Sequence, residues 1–151
     1  MREIGFADLT ASQAGLLESA AAAMETAYAP YSGFLVGAAL LATDGEVVNG
    51  SNVENAAYGS TICAERAALV RANAMGIRSF ESVAVIARGR DRPTSEATAP
   101  CGACRQMLFE AVRNAGRDIE VILASTDKEH IVITSVEELL PMGFGPASVN
   151  T

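Results

Sequence analysis

Two short stretches constrain this chain more than anything else in it. They are Cys63-Ala64-Glu65-Arg66 and Pro100-Cys101-Gly102-Ala103-Cys104-Arg105-Gln106, and together they hold all three cysteines. A carboxylate, Glu65, stands two residues from a thiol. Three thiolates can hold a zinc ion with one position left open, and a carboxylate beside that position can carry protons. An odd cysteine count argues against a disulfide framework and for metal or catalytic thiols in a reducing compartment. The fold must therefore bring the two stretches to one point.

The chain reads as a single domain over 1–151, long enough for a real core. The predicted first helix runs from about Thr10 to Tyr28, capped by the Thr10-x-x-Gln13 pattern and stopped at Pro30. Leu16, Leu17, Ala20, Met24, Ala27 and Tyr28 would form its apolar face. After the turn-rich Pro30-Tyr31-Ser32-Gly33 comes an almost wholly apolar strand, Val36 to Ala42, expected to be buried on both faces. Asp44-Gly45 is a two-residue hairpin signal, and Glu46 to Asn52 returns antiparallel. A polar loop leads to a second helix from about Cys63 to Met75, with Gly76 at its end. A buried strand, Ser82 to Ala87, is followed by a polar loop over 89–99. The third helix opens at Pro100 and Cys101 and ends at Gly116. Strands at Glu120–Ala124 and Ile131–Thr134 pair antiparallel across a short turn, and Ser135-x-x-Glu138 caps a short last helix.

That order predicts an α/β fold, a five-stranded mixed sheet with helices on both faces in a three-layer α/β/α sandwich. If the second and third strands run parallel, the helices that follow them start at the same sheet edge. Cys63 and Cys101 then meet at neighbouring helix N-termini, in the crevice where open α/β sheets bind ligands.

A net charge of −7 speaks against nucleic acid as a partner. The one local basic cluster, Arg88, Arg90 and Arg92, reads as a solvated loop rather than a phosphate site. No apolar run approaches the ~18 residues that span a bilayer, so no membrane partner is expected. The first residues lack a signal-peptide pattern, which gives a cytoplasmic reading. Half the residues are hydrophobic, largely through alanine, which suits close helix packing or burial in an oligomer.

Cys101 and Cys104, three apart on a helix, face the same way with Cβ atoms ~5–6 Å apart. Helix N-termini favour thiolate over thiol. Three thiolates carry more charge than the ion they hold. Two helix N-termini, and a guanidinium such as Arg66 donating to a sulfur, would offset the excess. Two other arrangements stay open. The lone histidine, His130, could complete a closed structural site, and Cys101-x-x-Cys104 could be a redox pair. An open site is favoured because it also gives Glu65 a task.

The two motifs, with Ala29-Pro30-Tyr31-Ser32-x-Phe34, Asn52-Val53-Glu54-Asn55 and Leu139-Leu140-Pro141-x-x-Phe144, resemble the cytidine deaminase family of the small homotetrameric, three-cysteine type. The resemblance covers nearly the whole chain. It implies zinc on Cys63, Cys101 and Cys104, and Glu65 as the group that moves protons from water to N3 of cytosine and to the departing amino group. It implies that Phe34 stacks on the base, that the Ala64 N–H binds the pyrimidine O2, and that Asn52 and Glu54 bind the ribose 3′-hydroxyl. Tyr58 and Phe144 stand where the family completes a neighbouring subunit's pocket. The expected activity is hydrolysis of cytidine and 2′-deoxycytidine to uridine and 2′-deoxyuridine plus ammonia, in pyrimidine salvage. A carboxylate at the 3′-oxygen would repel a phosphodiester, which favours a free nucleoside. The alternatives are a deaminase of a cytosine nucleoside analogue such as blasticidin S, or a non-catalytic zinc-stabilised module.

Overall fold

The structure, a computed structural model, describes residues 1–149, so the last two positions of the expected 1–151 domain lie outside the described residues. The elements are β1 (Arg2–Ile4), α1 (Ala11–Met24), β2 (Phe34–Ala42), β3 (Val47–Ser51), α2 (Ala64–Ala74), β4 (Phe80–Gly89), α3 (Gly102–Ala115), β5 (Glu120–Ala124), β6 (Ile131–Ser135) and α4 (Val136–Leu139), with short 3-10 turns at Phe6–Asp8, Tyr58–Ser60 and Pro146–Ser148.

One sheet of six strands runs in the order β1-β6-β5-β4-β2-β3. The sixth strand corrects the expected five. Arg2, Glu3 and Ile4 pair antiparallel with Ile133, Val132 and Ile131 at the sheet edge. A strand of three residues with two charged side chains carries too little alternation to be read from sequence alone. β4 and β5 are parallel, and the other neighbours are antiparallel.

The sheet is covered on both faces, as expected. α1 lies on one face, where Leu16, Leu17 and Ala20 meet Ala39, Ala84, Ile86 and Ile122. α2, α3 and α4 lie on the other, where Ala64, Ala68, Leu108 and Val136 meet Leu40, Val83, Val85 and Val121. Successive residues of β4 thus serve opposite layers, which is why its sequence is apolar without alternation.

Several boundaries differ from expectation. The Thr10–Gln13 capping box forms with reciprocal bonds of 3.2 and 3.0 Å. The helix nevertheless stops at Met24, before Ala27, Tyr28 and Pro30. Tyr28 is claimed elsewhere: its N–H donates to the Asn52 carbonyl at 3.0 Å, and its carbonyl accepts from Glu54 N at 2.8 Å. Its ring is exposed rather than part of the apolar face. The β2–β3 connection is a three-residue turn, closed by Gly45 N to Ala42 O at 3.0 Å and Ala42 N to Glu46 O at 2.8 Å. Gly45, at φ +92°, takes the left-handed position that this longer turn requires. β4 also extends beyond the expected Ser82–Ala87 at both ends.

β3 and β4 both run antiparallel to the intervening β2, so they are parallel to each other. The helices that follow them, α2 and α3, therefore begin at the same edge of the sheet. Gly50 is what lets α2 sit down on β3: a Cβ there would lie 2.5 Å from Ala68 N and 2.7 Å from Ala64 O.

Candidate active site

The cysteines sit where the two helices begin. Cys63 caps α2 and Cys101 caps α3, with Cys104 in the first turn of α3. The first N–H groups of a helix have no intrahelical partners and carry its positive end, so they favour anionic sulfur. The Cys63 and Cys101 Sγ atoms are 3.9 Å apart, and those of Cys101 and Cys104 are 3.5 Å apart. All three sulfurs lie within 4.8 Å of one another and form no disulfide. Tetrahedral ligands at ~2.3 Å from zinc stand ~3.8 Å from each other, so this triangle fits the ion.

The thiols differ in environment. Burial pushes the Cys63 thiol up despite its hydrogen bond from Arg66. Burial and the neighbouring Glu65 push Cys104 far up. For Cys101, burial is opposed by contacts to the Cys104 N–H and thiol, to Cys63 and to the Ala103 N–H, and these hold it below the usual thiol range. Arg66 Nη2 lies 2.8 Å from the Thr61 carbonyl and 3.7 Å from Cys63 Sγ. The guanidinium is thus braced against a sulfur, where positive charge offsets thiolate charge.

His130 is elsewhere. Its Nδ1 is 3.0 Å from Glu3 Oε1, and among the described residues the only metal-competent group is the three cysteines. The closed four-ligand alternative with His130 therefore fails on geometry.

Glu65 follows in the first turn of α2 and is 4% exposed. Burial raises its carboxyl above the usual range, outweighing hydrogen bonds from its own backbone N–H and from Cys104 and the charge of Arg66. A carboxyl in that condition holds a proton more readily than an exposed glutamate, which suits a group that carries protons.

A cavity of about 240 Å³ opens on these groups. Cys63, Glu65 and Cys101 line it together with Phe34, Asn52 and Glu54, residues far away in sequence. Ser32, Val36, Thr61, Val85, Thr98 and Ala99, to which the sequence alone assigns no role in the site, complete the wall. Of these, Ser32 had a signal, a hydroxyl in a turn two residues before the candidate stacking ring.

Asn52 is buried, and its amide faces the start of β2. Oδ1 accepts from Val36 N at 2.8 Å, and Nδ2 donates to the Phe34 carbonyl at 2.9 Å. One Nδ2 hydrogen remains. Glu54 accepts from the N–H groups of Tyr31 and Ser32 and from the Ser32 hydroxyl. The Ser32 hydroxyl leads the causes that hold its carboxyl below the ordinary range. Ala64 is fully buried at the start of α2.

Tyr58 and Phe144 do not line this cavity. Tyr58 is 76% exposed, edge-on to Tyr31 at 6.0 Å in an adjoining depression that shares Ser32, Glu54 and Thr61. Phe144 is 63% exposed and is tied through its carbonyl to Gln106 Nε2 at 2.7 Å. Two members of the arginine cluster are engaged in ordinary contacts: Arg88 pairs with Glu25 at 2.8 Å, and Arg90 donates to the Ala29 carbonyl at 2.9 Å. No described helix is long and apolar enough to cross a membrane.

The chain is similar to known proteins in sequence and in fold. Residues 11–115 match the family model for the cytidine and deoxycytidylate deaminase zinc-binding region. A cytidine deaminase of Halalkalibacterium halodurans is 44% identical over 135 residues, covering 89% of this chain and 96% of the relative. One from Sporosarcina psychrophila is 44% identical over 129 residues, covering 85% and 88%. The solved cytidine deaminase of Burkholderia pseudomallei superposes with a TM-score of 0.78 at 45% identity, covering 90% of this chain and all of that one. By its matched motifs, its sulfur triangle and its fold, this chain belongs to the cytidine and deoxycytidylate deaminase zinc-binding family.

Proposed function

We propose that this protein is a zinc-dependent hydrolase that deaminates cytidine and 2′-deoxycytidine to the corresponding uridines and ammonia. The observation that carries the reading is the single cavity in which Cys63, Cys101 and the buried Glu65 face Phe34, Asn52 and Glu54. The relatives named for this activity, similar over most of both chains, support it.

In this reading Cys63, Cys101 and Cys104 hold the ion, and Arg66 balances their charge. Zinc bound there supplies the Lewis acidity that makes water a nucleophile near neutral pH. Glu65 accepts the proton that the attacking water releases. It delivers that proton to N3 of the base, then takes the second proton from the oxygen now bonded to C4 and passes it to the amino group, which leaves as ammonia as the C4–N bond breaks and the C4 carbonyl forms. Its buried setting suits this role, because burial raises its affinity for a proton above that of an ordinary glutamate. Phe34 stacks on the pyrimidine, and the Ala64 N–H donates to O2. The remaining Nδ2 hydrogen of Asn52 and the Glu54 carboxylate engage the ribose 3′-hydroxyl.

Tyr58 and Phe144 are large rings left exposed on a single chain, as groups lent to a neighbour would be. The proposal therefore includes a homotetramer with shared active sites. A cluster of free thiols suits a reducing cytoplasm, and the products suit pyrimidine salvage.

The test is a panel of cytidine, 2′-deoxycytidine and blasticidin S, followed by loss of absorbance and measured alongside zinc content. Turnover of the two nucleosides with about one zinc per chain is expected. Turnover of blasticidin S alone, or zinc without turnover, would replace this reading with one of the alternatives.

A further inference from the structure

We propose that Ser32 is a positioning residue that sets how strictly the site demands a 3′-hydroxyl, by holding the Glu54 carboxylate in one orientation. The proposal rests on the reading that Glu54 receives that hydroxyl.

Glu54 stands on a loop beyond the end of β3, and its side chain is only partly covered. The terminal torsion of a glutamate is broad, so nothing intrinsic fixes which oxygen faces the cavity. Three donors settle it here. Tyr31 N and Ser32 N both reach Oε2, at 2.9 and 3.2 Å. These two bonds make Oε2 a pivot but leave Oε1 free to swing. Only the Ser32 hydroxyl reaches Oε1.

The direction of that bond follows from proton counting. The Ser32 oxygen already accepts from Phe34 N at 2.9 Å, so its lone hydroxyl proton goes to Glu54. An ionised carboxylate oxygen has about two acceptor positions. Oε2 has both taken, by Tyr31 and Ser32. Oε1 has one taken by Ser32 and one left. The site therefore offers a single directed acceptor, suited to one hydroxyl.

The same serine joins two parts of the site. Its oxygen bonds the backbone of Phe34, whose ring lines the cavity, while its proton bonds Glu54. Sugar and base recognition are thereby set at a fixed separation. Arg90 braces this turn from outside, donating its backbone N–H to Gly33 O at 2.7 Å and Nη2 to Ala29 O at 2.9 Å.

The experiment compares kcat/KM for cytidine and 3′-deoxycytidine in the wild type and in Ser32 variants. Wild type is expected to prefer cytidine. Ser32→Ala is expected to lower kcat/KM for cytidine about tenfold more than for 3′-deoxycytidine, mainly through KM, the scale of one hydrogen bond to a charged group. A second pair isolates the hydroxyl: Ser32→Thr should keep the preference, and the equally bulky Ser32→Val should lose it. Equal losses on both substrates, an unchanged ratio, or matching Thr and Val variants would overturn the role of Ser32. A wild type that turns over both substrates alike would overturn the ribose reading of Glu54 instead.

Discussion

Gly50 and Ala68 approach so closely that a Cβ on Gly50 would lie 2.5 Å from the Ala68 backbone nitrogen. The contact seats α2 on β3, and α2 carries Cys63 and Glu65 at its start. The atoms in the way are backbone, which cannot swing aside. Gly50→Ala is therefore expected to destabilise the fold by on the order of 3 kcal/mol and to loosen the sulfur triangle. Thermal melting and zinc content measured together check it. An unchanged melting temperature with full zinc would show that the helix shifts freely.

Glu65→Gln removes a titrating carboxyl but keeps size and shape. The variant is expected to fold and hold zinc like the wild type while losing about a hundredfold or more in kcat. Cytidine turnover alongside metal analysis is the measurement. Activity near that of the wild type would end the assignment of Glu65 as proton carrier.

Asn52 holds the start of β2 with both ends of its amide. Asn52→Ala strips a partner from the Val36 N–H and the Phe34 carbonyl. A cost of about 1–3 kcal/mol is expected, with a rise in KM as the Phe34 ring loses its fixed backbone. Denaturant unfolding and steady-state kinetics report the two effects separately.

The His130–Glu3 pair ties β1 to the β5–β6 hairpin. The bond to Glu3 raises the His130 pKa above its ordinary value, against a smaller opposing effect of burial. Charged histidine is thus favoured in the folded state. Its stabilising contribution is complete below the unfolded value of about 6.5, declines as pH rises through the raised folded value, and is absent above it. Melts of wild type and Glu3→Gln should differ on the acid side and converge on the alkaline side. A constant difference across that range would contradict the pairing.

Phe144 and Glu65 belong to different subunits' sites in the proposed tetramer. Phe144→Ala and Glu65→Gln should each be poorly active alone. Mixed oligomers formed by co-expression should regain activity, because some sites receive an intact Glu65 and an intact lent Phe144. Mixtures no better than the separate variants, or a monomer by light scattering, would remove the lent role.

The sequence by itself determined the metal chemistry and most of the frame. Local rules sufficed where the relevant neighbours lie three or four residues apart: the Thr10–Gln13 box, the glycine after α3, and Cys101 with Cys104 on one helical turn. It also implied that Cys63 and Cys101 would meet, because parallel strands start their following helices at one edge. Tertiary structure alone decided the rest. α1 stops at Met24 because Tyr28 bonds to Asn52 and Glu54, more than twenty residues away. β1 exists only because β6 offers it an edge. Asn52 faces the β2 backbone, and Glu54 is held by Ser32, through long-range bonds with no local signature. Periodicity and capping report the energy of near neighbours. The partners that shape the cavity are chosen by packing across the sheet, where distance along the chain carries no information.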